Sequence, residues 1–164
     1  MVLESIVRRR AVREFSDEPV LDESIEDIIK AAQFAPTATG KKEVEFVVVK
    51  DQVVKDKLFG ILQQDFVAKA PVLIVPVSYS KAAVLPQTDL AIASAFMMIQ
   101  AAELGLGTVW KHIDPEQSKR VCQVLGLPSD YTLVNLIPVG YPLNELPDHG
   151  DADFSPSKIH KNIF

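Results

Sequence analysis

The segment from Gln87 or Thr88 to Leu106 does most to limit the folds open to this chain. Leu90, Ala91, Ala93, Ala95, Met97, Met98, Ala101 and Ala102 spread apolar surface over more than one face of a helix, and a helix that is apolar nearly all round has to be buried. Ser94, Gln100 and Glu103 interrupt the run, so it reads as a core helix and not as a membrane span. Its small residues also permit close approach by a second helix. Everything else in the chain must surround this element, which Gly105-Leu106-Gly107 brings to a stop.

The surrounding elements follow from periodicity and breakers. Val2, Leu3, Ile6 and Val7 sit at helical spacing over residues 2 to 8. A second helix is expected from Ser24 to Phe34, with Ile25, Ile28, Ile29 and Ala32 as its stripe and Ser24 with Asp27 as a capping box. Pro36 ends it. Phe46–Val49 reads as a buried strand, Val54, Leu58, Ile61 and Leu62 as a third helix, and Val72–Val77 as a second strand. Residues 78 to 86 form a connection. Thr108–Trp110 is a short strand, and Asp114-Pro115-Glu116-Gln117 starts a helix that runs to Gly126, with Asp at N-cap, Pro at the first position and Gln at N3. Tyr131–Val139 is the last strand, ended by Gly140-Tyr141-Pro142. The tail from Leu143 to Phe164 has little periodicity but finishes in Ile163-Phe164, which calls for something to dock on.

Helix and strand alternate without a strict βαβ rhythm, and neither a GxGxxG nor a GxxxxGK[ST] loop is present, which removes the doubly wound dinucleotide fold and the P-loop. His112, His149 and His160 lie in separate segments, and Cys122 is the single cysteine. No metal motif, nucleophile elbow or disulfide follows from these, and Cys122 reads as a core thiol. If the chain is an enzyme, a cofactor must carry the chemistry. Residues 1 to 10 lack the apolar core of a signal peptide, so the expected location is cytoplasmic.

One stretch departs from the even background. Of five arginines in the chain, four fall within Arg8-Arg9-Arg10-Ala11-Val12-Arg13, although the net charge is -5. Guanidinium forks fit phosphate or carboxylate in two-toothed fashion, so the stretch reads as an anion site; a solvated basic turn and a nucleic-acid patch are the alternatives. The acidic balance argues against nucleic acid, because such proteins usually carry a basic domain. The segment Pro36-Thr37-Ala38-Thr39-Gly40-Lys41-Lys42, with small residues, hydroxyls and a glycine, lets backbone come close to a ligand.

Several motifs, in order, resemble the FMN-dependent nitroreductase family. Arg9-Arg10-Ala11-Val12-Arg13-Glu14-Phe15 is similar to its Arg-Arg-Ser-x-Arg-x-Phe opening, and Ala35 to Lys42 leading to Phe46 resembles its Ala-Pro-Ser loop and strand. Leu104 to Trp110 resembles its Leu-Gly-Leu-Gly-Thr-Val-Trp, Pro138 to Pro142 its late strand and turn, and Lys158-Ile159-His160 its closing cationic pair. The resemblance implies an α+β fold, a mixed sheet flanked by helices, in an intertwined homodimer with FMN at the subunit interface. It implies one FMN-binding domain over residues 1–164, with 143–164 as a tail docking on the partner subunit.

The same resemblance implies the site. Arg9, Arg10, Ala11 and Arg13 would meet the phosphate, ribityl chain and pyrimidine edge, with Lys158 and His160 closing on the phosphate. Pro36, Thr37, Ala38, Thr39 and Lys42 would approach the ring, and Val109, Trp110 and Lys111 would line it near N5. No side chain is implied as catalytic. The implied activity is NADH- or NADPH-dependent reduction of nitroaromatic, quinone or similar small acceptors, by ping-pong hydride transfer through flavin N5. A flavin-binding or storage module with little turnover is the alternative. The chain departs from the family pattern at Ala11, which lacks a hydroxyl, at Gly40 to Val44, where relatives commonly read Asn-x-Gln-Pro-Trp, and at Lys111-His112-Ile113. It is also short for the family, which implies an open, promiscuous site.

Overall fold

The computed structural model describes residues 1–164. Its central strand is β2 (Val72–Tyr79), an apolar run in which every residue but Tyr79 is buried. A strand buried on both faces needs cover above and below. β2 pairs antiparallel with β1 (Val44–Val49) on one side, Val47 opposite Val75, and with β6 (Asn135–Gly140) on the other, Ile74 opposite Ile137. The far edge of β6 carries β3 (Gly107–Thr108) and β4 (Lys111–His112), while β5 (Tyr131–Thr132) pairs with the end of β2. These ladders are all antiparallel, and the parallel element is a bridge between Ala11 and Thr108.

The strand expected over Tyr131–Val139 is divided in two. Ile74 faces Ile137 and Ser78 faces Thr132, so three residues of β2 oppose four on the other side. One extra residue in a ladder is a bulge. It falls opposite Pro76, which has no N–H to donate. β1 also differs from expectation: it starts at Val44 and, as an edge strand, buries only Val49.

Alternation along β2 divides the core. Leu73, Val75 and Val77 point to one face, covered by α3 (Gln52–Leu62), α4 (Asp65–Lys69) and α6 (Pro115–Val124) through Leu58, Phe66, Val67 and Val121. Val72 and Ile74 point to the other, covered by α2 (Asp22–Gln33) and α5 (Pro86–Glu103) through Ile28, Ala93, Met97 and Ala101. The core helix expected from the sequence is α5. It is apolar on several sides because it meets the sheet, α2 and α1 (Glu4–Arg8), yet Phe96 still stands partly in solvent.

Several local expectations change. α2 begins at Asp22 with Leu21 at the N-cap and no side-chain cap, so Ser24 and Asp27 lie inside the helix and form no box. Asp22 and Glu23 in its first turn favour the positive end of the helix dipole instead. In α1 the buried residue is Ser5, whereas Val2, Leu3 and Ile6 are exposed. α4 was not anticipated, being a five-residue turn too short to display a period.

The box at α6 is present. Asp114 Oδ1 accepts from the backbone N–H of Glu116 at 2.9 Å and of Gln117 at 2.8 Å, and Gln117 Oε1 accepts from Asp114 N–H at 3.4 Å. Replacing Asp114 by Ala is expected to cost about 1 kcal/mol and lower the melting temperature by a few degrees, readable by calorimetry.

Candidate functional site

The arginine stretch leaves α1 as an extended segment laid along the sheet. Val12 N–H donates to Thr108 O at 2.9 Å, and Ser16 N–H to Tyr141 O at 2.9 Å. Val12 is buried, and a Cβ built on Gly107 would lie 2.6 Å from a Val12 methyl, so glycine is what lets the two backbones approach. The segment is thereby held beside Gly107 and Thr108, the strand that leads to Val109 and Trp110.

Arg8 is paired with Glu4 one turn back. Arg9 and Arg10 are half-buried, and no carboxylate oxygen comes within ion-pairing reach of Arg9, Arg10 or Arg13. Arg8, Arg9 and Arg10 line a cavity of about 420 Å³ together with Val12, Ala102, Gly105 to Thr108, Glu145 and Asp148. Guanidiniums without counter-ions, on a chain of net charge -5, keep their donors for an external anion. Arg13 is exposed and lines a different groove of about 520 Å³, beside Glu14, Phe15, Asp65 and Lys69.

The loop after α2 is built for close approach. Ala38–Gly40 form a 3₁₀ turn in which Thr39 has φ 63° and Gly40 φ 72°. A left-handed threonine is strained, because its branched Cβ crowds the carbonyl. The turn is anchored by Asp89, a buried carboxylate in the first turn of α5, whose Oδ1 accepts from Ala38 N–H at 2.8 Å. Thr37 and Lys42 line a small cavity of about 310 Å³ with Ala32, Phe34, Val44 and Ala93. Removing the anchor with Asp89→Ala is expected to cost about 1 to 3 kcal/mol, as is usual when a paired buried group is lost. Faster amide hydrogen exchange confined first to residues 37–42 is the readout.

Val109 is buried, Trp110 packs half-buried on the α2–α5 side of the core, and Lys111 pairs across the sheet with Leu136. Lys158 and His160 are exposed; no hydrogen bond or ion pair links them to the arginines, and His160 stacks on Phe164 at 4.1 Å. Within one chain the expected residues thus fall in separate places. The arginine cavity touches Ala102 near the C-terminal end of α5, while the Thr37–Lys42 loop is tied to Asp89 near its N-terminal end. Thirteen helical residues separate those points, roughly 20 Å at the helical rise.

Sequence reasoning missed His149 and Asp153. His149 lies against Arg9 and Arg10, and Asp153 Oδ2 is 3.0 Å from its Nδ1. Asp153 is held below the usual carboxylate range by the Gly150 N–H and then by His149. The i, i+4 spacing of the two residues was the available signal. A larger hollow of about 830 Å³ beside α6, with His112, Lys119, Cys122 and Tyr131 on its walls, was also unforeseen. Burial pushes the Cys122 thiol up, in keeping with a packed thiol. No helix is long and apolar enough to cross a membrane.

Comparison with known proteins agrees with this fold. The family model described as the nitroreductase family matches residues 6–64 and 59–141. An Archaeoglobus fulgidus protein with the provisional name NADH dehydrogenase/NAD(P)H nitroreductase is 32% identical over 172 residues, covering 97% of this chain and 96% of that one. A Methanothermobacter thermautotrophicus protein of the same provisional name is 31% identical over 97% of this chain and 85% of its own. The solved structure of an FMN-dependent nitroreductase from Clostridium difficile R20291 superposes with a TM-score of 0.91 at 30% identity, covering 98% of both chains. With an α+β sheet matched over nearly its whole length and the arginine segment lying inside the matched region, the chain belongs to the nitroreductase family and is an oxidoreductase.

Proposed function

We propose that this chain is an FMN-dependent NAD(P)H oxidoreductase that reduces small acceptors such as nitroaromatics and quinones. The observation that carries the reading is the pair Arg9 and Arg10, without carboxylate partners, lining a cavity against the Gly107–Thr108 strand. The donor set suits a phosphomonoester, which is dianionic near neutral pH and accepts forked guanidinium bonds. FMN, when bound, would supply ping-pong hydride chemistry between NADH or NADPH and the acceptor. Arg9 and Arg10 would hold its phosphate. The Thr37–Lys42 loop and the Val109–Lys111 segment would orient its ring and exclude water from one face. Lys158 and His160 would add cation at the phosphate once the tail is in place.

The separation along α5 supports a site completed by a second copy of the chain. A two-fold axis across antiparallel α5 helices would bring the Asp89 end of one to the Ala102 end of the other. Leu143 and His149 tie the start of the tail 143–164 to its own chain through N–H bonds to Glu14 O and Val7 O, and exposed Phe154, Ile159, Ile163 and Phe164 support docking of the rest on the partner of a single domain spanning 1–164. The test is direct. The purified protein should be a yellow dimer whose bound flavin bleaches under anaerobic NADH or NADPH and recovers on adding a quinone or nitroaromatic. A colourless protein that refuses added FMN overturns the reading; a yellow one that neither nucleotide bleaches is a flavin store instead.

A further inference from the structure

His149 stands where neither the phosphate reading nor the family motifs give it work. Its Nε2 is 3.2 Å from Arg10 Nη1 and 3.4 Å from Arg9 Nη2, and its Nδ1 is 3.0 Å from Asp153 Oδ2 and 2.8 Å from Arg10 Nη1. A carboxylate only accepts and a guanidinium only donates, which assigns the tautomer. Nδ1 carries the proton and donates to Asp153, leaving the Nε2 lone pair to accept from Arg9. Arg10 Nη1, close to both ring nitrogens at once, lies off the axis of either lone pair and packs against the ring.

The ring is fixed from three sides. Its own backbone N–H donates to Val7 O at 3.0 Å, which ties the residue to α1, from whose end the arginines emerge. Asp153 Oδ2 also accepts from Gly150 N–H at 3.0 Å, so the carboxylate that orients the ring is itself held. Neither His149 nor Asp153 lines the arginine cavity, whereas Arg9 and Arg10 both do. The imidazole therefore accepts from Arg9 and packs against Arg10 from outside the cavity, leaving the other donors of both forks for the ligand. One ring in contact with two like charges also holds together groups that would otherwise swing apart.

We propose that His149, oriented by Asp153, is a positioning residue that pre-aligns the Arg9 and Arg10 guanidiniums and thereby sets preference for a phosphorylated flavin over its dephosphorylated form. Long arginine side chains lose rotamer freedom when they bind, and a side chain already held in place loses less on binding. The benefit falls on the phosphate alone. The proposal rests on the FMN reading above, and its test separates the two.

The experiment measures dissociation constants of FMN and riboflavin by flavin fluorescence quenching, on the full chain freed of flavin, for wild type, His149→Ala, His149→Gln and Asp153→Asn. His149→Ala should weaken FMN by about tenfold, the worth of one charge-assisted hydrogen bond, with riboflavin unchanged within about twofold. Asp153→Asn should weaken FMN in the same direction by less. His149→Gln, whose amide can both accept from arginine and donate to Asp153, should keep most of the preference, and it carries the test if the alanine variant fails to fold. FMN binding that is unchanged or tighter in His149→Ala overturns the proposal, as does a parallel loss of riboflavin. In the tighter case His149 competes with the phosphate. A wild-type protein that binds both flavins equally overturns the arginine–phosphate reading too, whereas a wild type that prefers FMN, with variants that do the same, leaves that reading intact.

Discussion

The double variant Arg9→Ala/Arg10→Ala is expected to lose FMN by two to four orders of magnitude while keeping its fold. Each charge-assisted hydrogen bond is worth about 1.5 to 3 kcal/mol, roughly ten- to hundredfold in affinity, and the pair supplies at least one each. Stability should hardly move. Neither guanidinium has a carboxylate partner to strand, and both side chains keep contact with water, so their removal buries no uncompensated charge. Far-ultraviolet dichroism and the thermal midpoint should therefore match wild type while flavin titration fails to saturate. If the variant binds FMN as wild type does, the cavity is not the phosphate site. Arg8→Ala should cost less affinity: Arg8 lines the same cavity but is paired with Glu4, and losing that exposed i, i+4 pair costs the fold only a few tenths of a kcal/mol.

What the sequence made legible was chemistry carried by local runs. The all-round apolar pattern of α5, the Asp114–Gln117 box and the β-branched run of β2 each announce themselves within a dozen residues, because each rests on contacts a few positions apart. The break at Pro76, the α2 start at Asp22 and the edge position of β1 were not legible. The break and the edge position depend on which strand lies opposite, set by contacts distant along the chain, and the α2 start has no side-chain cap at Leu21 to announce it. The site divides in the same way. Arg9 and Arg10 declare themselves as an anion-binding pair, whereas the link from Asp89 to Ala38 spans 51 positions and that from Arg10 to His149 spans 139, and no short-range pattern records either. Arg13, Lys158 and His160, expected beside the other arginines, are in one chain exposed and apart from them, which is why the proposed dimer is the assembly to test.

Gly107→Ala should show that the arginines work only because a backbone contact places them. The added Cβ would fall 2.6 Å and 2.8 Å from the two Val12 methyls and 2.7 Å from Val12 Cβ. The last distance decides the outcome. A rotamer change moves the methyls but not Cβ, and Val12→Ala would leave that carbon where it is, so the segment itself must lift from the strand. Lifting strains the Val12 N–H to Thr108 O bond and opens a packed contact, an overpacking cost of about 1 to 3 kcal/mol. Because Arg9, Arg10 and Arg13 ride on that segment, flavin affinity should fall along with the melting temperature although no candidate ligand-contacting side chain has changed. Adding Val12→Gly, which removes the obstructing carbon, should return part of the affinity even though a second glycine costs backbone entropy in the unfolded chain. Rescue of affinity without rescue of stability would identify the close approach of Val12 to Gly107 as the device that aims the arginines; recovery of neither would mean that the loss does not arise at Val12, and unchanged affinity in Gly107→Ala itself would mean that the arginines are aimed by α1 and the His149 loop instead.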